Sequence, residues 1–121
     1  MFVVDALIGN TDRHNGNWGF LVNKKTKKVT FAPIYDCGSC LNPMIEDKEI
    51  ESLNDTELKN LAINCYSCLK EDGKKINYMA YIRSMKNDNC NDAVKKIFLQ
   101  ININQIKEFI DEISYISEER K

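Results

Sequence analysis

Ile8-Gly9-Asn10-Thr11-Asp12-Arg13-His14-Asn15-Gly16-Asn17-Trp18-Gly19-Phe20 is the stretch whose reading decides the rest of this chain. It lies between two apolar runs, residues 2–8 before it and one that opens at Trp18 after it. Every residue from Asn10 to Asn17 except Gly16 is polar or charged. Functional groups packed so densely into a short connection mark a loop held between buried elements, where chemistry tends to sit.

Working outward, Phe2, Val3, Ala6 and Leu7 fall at helical spacing, so residues 1–8 read as a helix that Gly9 stops. Two turns are too few to be stable alone, and no capping residue precedes them. The expectation is the tail of a longer helix. On the other side, residues 18–22 and 28–32 are rich in aromatic and β-branched side chains and alternate as strands do. The link 23–27 is short and polar, as a hairpin turn requires, and its three lysines form a solvated tip. Pro33 ends the second strand, and residues 34–40 form a second loop.

From Glu46 onward the pattern is helical. Leu58, Leu61, Ala62, Cys65 and Leu69 form one stripe, capped by Asn54 or Asp55 with Glu57 in the first turn. Asp72-Gly73 signals a turn. Ile76, Met79, Ile82 and Met85 form a second stripe, and Ala93, Val94, Ile97, Phe98 and Ile101 a third. A fourth runs through Ile103, Ile106, Phe109, Ile110 and Ile113, capped by Asn102 or Asn104. Residues 117–121 are charged and are expected to fray. The fold expected is mainly α, a helical bundle with one two-stranded antiparallel hairpin, in a single domain over residues 1–121. Within it lie a loop at 9–17, a hairpin at 18–32, a loop at 34–40 and a bundle at 46–116.

Composition narrows the function. A chain of 121 residues should bury roughly two-thirds of its unfolded surface, enough for a core. Seventeen basic and eighteen acidic residues, net charge −1, argue against a dedicated nucleic-acid binder. No apolar run approaches the ~20 residues that span a membrane, and the first residues lack the features of a signal peptide. Five cysteines, an odd number without an export signal, fit reduced thiols in a cytoplasm.

Asp12 and Asn17 stand five apart, and Asp36 follows nineteen residues after Asn17, across a hairpin that can return the chain beside its start. Two oxygen ligands from separate loops, completed by phosphate oxygens and water, are how proteins usually hold Mg²⁺ against a nucleotide. Asn17 and Asp36 would be those ligands. Asp12 would accept or orient the proton of an attacking hydroxyl, the division of labour found in phosphoryl transfer.

The order Asp12-x-x-x-x-Asn17, a hairpin, then Asp36-Cys37-Gly38 is similar to the catalytic loop and Asp-Phe-Gly segment of the kinase superfamily. Arg13 and His14 follow the aspartate here, whereas in common protein kinases a His-Arg pair precedes it. Residues 7–14 and 32–36, together with Asp72-Gly73-Lys74-Lys75-Ile76-Asn77-Tyr78, resemble the C-terminal domain of HipA-like serine/threonine kinases over nearly the whole chain. The resemblance implies the larger, mostly helical lobe of a two-lobed kinase. It matches Asp12 to the catalytic aspartate, and Asn17 and Asp36 to the Mg²⁺ ligands at the ATP phosphates, with Arg13 and His14 in support. Cys37 stands where phenylalanine is usual. The five glycines form no Gly-x-Gly-x-x-Gly loop, and no strand-borne lysine precedes residue 9, so the nucleotide-gripping small lobe is not in this chain.

Three further features have a plainer reading. His14, the only histidine, is expected to brace its loop by hydrogen bonding rather than to act as a base. Trp18, Phe20 and Phe31 are expected to pack rather than to face a base. Cys37-x-x-Cys40 and Cys65-x-x-Cys68 have the spacing of a zinc site, but the first pair lies in the Asp36 loop and the second extends a helical apolar stripe. Burial as small hydrophobes is expected, with zinc as the alternative.

The function expected is therefore the catalytic-loop portion of an ATP- and Mg²⁺-dependent serine/threonine kinase with a protein substrate, inactive alone, whose uncovered lobe surface promotes self-association. The alternative is a non-enzymatic helical module, a kinase remnant that regulates a partner, as within a toxin–antitoxin pair.

Overall fold

Gly9, at φ +64°, turns the chain sharply out of the first helix, α1 (Phe2–Leu7), in a conformation that costs glycine little. The computed structural model describes residues 1–117; the charged end expected to fray lies, beyond Ser117, outside the described residues. The hairpin follows as β1 (Phe20–Val22) and β2 (Val29–Phe31), antiparallel, with Phe20 opposite Phe31 and Val22 opposite Val29. Asn23 organises its turn, accepting the Lys25 and Thr26 amides on its side-chain oxygen.

The helical remainder comprises α2 (Asp47–Ser52), α3 (Asp55–Ile63), α4 (Tyr78–Arg83), α5 (Asp88–Phe98) and α6 (Ile103–Asp111). Of the alternative caps, Asn54 opens α3 in a full capping box with Glu57. Asn77, Asn87 and Asn102 each accept an amide in the first turn of α4, α5 and α6.

The stripe from Leu58 to Leu69 is not one helix. α3 ends at Ile63, and the chain forms a second antiparallel hairpin, β3 (Tyr66–Glu71) with β4 (Lys74–Asn77). Asp72-Gly73 is its two-residue turn, with φ positive at both residues (+49° and +78°), as hairpin turns of this type demand. That geometric requirement overrides helical spacing that was only approximate. Ile76 therefore belongs to β4, and the second stripe shrinks to α4. Met85, at φ +55°, lies past the end of α4. The architecture remains mainly helical.

α1 packs on α4 and α5, and the Phe2 ring meets those of Tyr78 and Tyr81 with centroids 4.8 and 5.2 Å apart. The expected apolar core is not there. Val3 and Tyr78 are the buried hydrophobic residues among those described, and they are outnumbered by buried polar ones: Asp5, Asn10, Arg13, Asn17 and Ser67. Among the described residues no helix is long and apolar enough to cross a membrane.

Candidate functional site

A carboxylate on an apolar two-turn helix is costly to bury unless it is paired. Asp5 is 1 % exposed, and its partner is Arg13, 3 % exposed, from the polar loop. Arg13 donates to Asp5 from Nη2 at 2.9 Å and from Nε at 3.0 Å, a forked arrangement suited to a planar guanidinium. The hydrogen bonds to Asp5 raise the Arg13 pKa above its ordinary value, against the opposing effect of burial. The same guanidinium reaches the second loop. Nη1 donates both to the Asn17 carbonyl and to the Tyr35 carbonyl, and Nη2 to Cys37 Sγ at 3.7 Å. One side chain thus ties α1, residues 9–17 and residues 34–40 into a unit.

Asn10, wholly buried, completes the scaffold. Its side chain donates to Asp5 at 3.1 Å and accepts the Asp12 amide at 3.0 Å, while its carbonyl accepts the Tyr78 hydroxyl at 2.7 Å. Burial pushes the Tyr78 hydroxyl up to about 12, with a hydrogen bond from Ser67 working the other way.

On this frame the residues singled out in the sequence take distinct places. Asn17 is 5 % exposed, and its side-chain nitrogen donates to the Asp12 carbonyl at 2.9 Å. That bond fixes the amide and leaves its oxygen with no donor among the described residues. Asp36 is exposed on the adjoining loop, next to Tyr35, at φ +55°. A non-glycine residue held there is uncommon and points to a constraint of function or packing. The Tyr35 hydroxyl returns to the Gly16 carbonyl at 3.1 Å, a second tie between the loops. Asp12 projects into solvent, with His14 Nε2 3.9 Å from its carboxylate. His14 Nδ1 accepts the Gly16 amide at 3.0 Å, and a Cβ at Gly16 would come within 2.9 Å of the His14 ring.

Asn17 and Asp36 therefore offer side-chain oxygen atoms that accept no hydrogen bond among the described residues, and Asp12 one with only the His14 ring nearby, on loops locked together by Arg13. Hard oxygen donors of this kind, few in number, suit a Mg²⁺ ion that keeps water and phosphate as its other ligands. They would not make a closed all-protein cage, and among the described residues no three His, Cys, Asp or Glu side chains gather to hold a metal.

The zinc alternative fails on the same ground. The five cysteines are free. The Cys40 amide donates to the Cys37 carbonyl at 3.1 Å, and burial first and then the nearby Cys37 push the Cys40 thiol up to about 11. Cys65 sits apart beneath Gly9, its thiol also raised by burial. It leads into β3, so Cys65-x-x-Cys68 is on extended chain rather than on a helix.

The hairpin aromatics pack on one another: Trp18 stacks on Phe31 with centroids 6.1 Å apart, and Phe20 meets both edge-on. Asp5, Asn10, Tyr35 and Tyr78 escaped the sequence reading. A lone carboxylate in the apolar run 2–8 was a usable signal for Asp5. Nothing local announces a bond between Asn10 and Tyr78, 68 positions on.

No protein-family profile matches the chain. The chain is 44 % identical, over 125 aligned residues, to the serine/threonine-protein kinase CtkA of Helicobacter pylori, covering all of this chain and 38 % of that protein. It superposes on the crystal structure of the H. pylori proinflammatory kinase CtkA with a TM-score of 0.90 and 44 % identity, covering 99 % of this chain and 45 % of that one. The chain is thus related to a kinase, and it spans well under half the length of that relative.

Proposed function

We propose that this chain is the catalytic-loop portion of an ATP- and Mg²⁺-dependent serine/threonine kinase of the HipA-like kind. Asp12 engages the acceptor hydroxyl, and Asn17 and Asp36 hold Mg²⁺ at the nucleotide phosphates. The observation that carries this reading is the Arg13 guanidinium, bonded at once to the Asn17 and Tyr35 carbonyls, which draws the two proposed ligand loops edge to edge. Kinship with CtkA over the full length of the chain supports it. A cavity of about 270 Å³, lined by residues 38–39 and 42–45 and by Thr11, the chain neighbour of Asp12, is of a size for a substrate side chain. Mg²⁺, when bound, neutralises the charge that develops on the transferred phosphoryl group. Asn17 and Asp36 orient it, and Arg13 keeps their loops in register.

Phosphoryl transfer depends on positioning and electrostatics, and the chain alone lacks a glycine-rich clamp over the phosphates. Incubated with labelled ATP, Mg²⁺ and a generic protein substrate, it should show no turnover above Asp12→Ala. Robust turnover that Asp12→Ala abolishes would overturn the view that the chain is catalytically incomplete. Metal binding is the sharper test of the site. Mn²⁺ with ADP should broaden the amide resonances of Asn17 and Gly38, and Asp36→Asn should weaken this about tenfold by removing a ligand charge. Broadening that Asp36→Asn leaves unchanged would sink the metal assignment.

A further inference from the structure

We propose that Cys37 and Cys40 form a reversible disulfide, a redox-modification site built into the loop that carries Asp36. The two cysteines are joined by a backbone hydrogen bond and are near enough for the Cys37 thiol to act on that of Cys40. They are the ends of a tight turn, in which the Cys40 amide donates to the Cys37 carbonyl at 3.1 Å. Turns of this type keep their end Cα atoms within about 7 Å, which overlaps the separation a disulfide spans. Cys37 is exposed and open to a small oxidant, and Cys40 is half-buried behind it.

The other C-x-x-C does not qualify. Cys65 leads into β3 and Cys68 lies in its irregular stretch between Tyr66 and Lys70, with no turn hydrogen bond joining the two residues as one joins Cys37 and Cys40. The same sequence pattern thus has two different chemistries, and backbone conformation distinguishes them.

The oxidant fitting this site is a small-molecule disulfide such as oxidised glutathione. The Cys37 thiolate attacks one sulfur of the glutathione disulfide, whose S–S bond breaks and releases one glutathione thiolate. The Cys40 thiolate then attacks the Cys37 sulfur, forming the Cys37–Cys40 bond and expelling the second glutathione. The two protons given up by the cysteines end on the two glutathione thiols. The chain is oxidised and glutathione is reduced by the same two electrons.

Closure acts on the loop. In the reduced chain Cys37 Sγ accepts from Arg13 Nη2; in the disulfide that sulfur is drawn towards Cys40 and is a poorer acceptor. Arg13 then loses one of its ties to residues 34–40, next to Asp36. Asp36, Leu41 and Asn42, all at positive φ, flank the turn on both sides, so a change in the turn is passed to the residues that bound it.

The test equilibrates the full chain in mixtures of reduced and oxidised glutathione, quenches in acid, alkylates under denaturing conditions and maps the peptides by mass. The expected product is lighter by two hydrogens and links Cys37 to Cys40, with Cys65, Cys68 and Cys90 alkylated. Cys40→Ser should instead accumulate a glutathione adduct on Cys37 about tenfold above the unsubstituted chain, because the resolving thiol at high effective concentration is gone. Amide exchange across residues 36–42 should differ between the oxidised and reduced forms. A stable glutathione adduct on Cys37 in the unsubstituted chain, a bridge to any other cysteine, or exchange unchanged on oxidation would overturn the proposal. Mapping the unsubstituted chain needs no substitution to fold.

Discussion

Arg13 is the residue on which the site depends, since its five donors are spent on one carboxylate, two carbonyls and a thiol. Removing the charge of its partner leaves a guanidinium buried and uncompensated. Asp5→Asn should therefore destabilise the chain by about 3–5 kcal/mol, the usual cost of breaking a buried pair from one side. Urea unfolding measures this directly, and a shift below about 1 kcal/mol would show that the pair is not holding the loops. Tyr78 adds a dependence on pH. Its proton is held more tightly in the folded chain, up to about 12, than the ordinary value near 10 in an unfolded one. The contribution is intact below about pH 10 and is lost as pH rises towards 12, because only the unfolded chain ionises in that window. Tyr78→Phe should flatten this alkaline decline, read from thermal midpoints between pH 9 and 12, while lowering stability at neutral pH through loss of the bond to Asn10. An equally steep decline in the variant would assign it to other groups.

Among the elements, the second hairpin departs most from what helical periodicity suggests. Its turn needs φ above zero at both Asp72 and Gly73, and the space around a Cβ at Gly73 is open. The cost of Gly73→Ala is therefore conformational alone, about 1–2 kcal/mol. Gly38→Ala, also with open space and without a left-handed φ, should be close to neutral. Equal effects in calorimetry would mean that the turn is not what selects β3 and β4 over a longer α3. The Asp-Gly signal was present in the sequence, but a stripe of apolar residues at near-helical spacing pointed the other way. Turn chemistry prevailed because φ at two residues is a hard constraint, whereas apolar spacing in a half-exposed segment is a soft one.

The whole molecule carries more surface than its mass calls for. A compact protein of 14.0 kDa exposes about 6,700 Å² and its unfolded chain roughly 20,000 Å²; this one exposes 9580 Å². It buries about half of its unfolded surface rather than two-thirds, and it leaves large apolar side chains exposed: Phe20, Leu21, Val22, Val29 and Phe31 on the first hairpin, and Phe98, Leu99, Ile103 and Phe109 on and beside the last helices. Such patches mark an interface or a liability to aggregate. Sedimentation should show association that grows with concentration and weakens in Phe20→Ser/Phe31→Ser; a monomer throughout would count against it. The sequence by itself located Asn54 and Asn102 among the alternative caps of two helices, the first hairpin and the polar loop, and it singled out Asp12, Asn17 and Asp36. Those features rest on local rules of capping, turn geometry and residue chemistry, which need no distant partner. Only the tertiary structure decided that the buried centre is polar, that Asp5 and Tyr78 brace the loop, and that Cys37 and Cys40 end a hydrogen-bonded turn while Cys65 and Cys68 do not. Each of these depends on contacts between segments up to 68 residues apart or on the backbone path between two thiols, and neither is encoded in any single window of the chain.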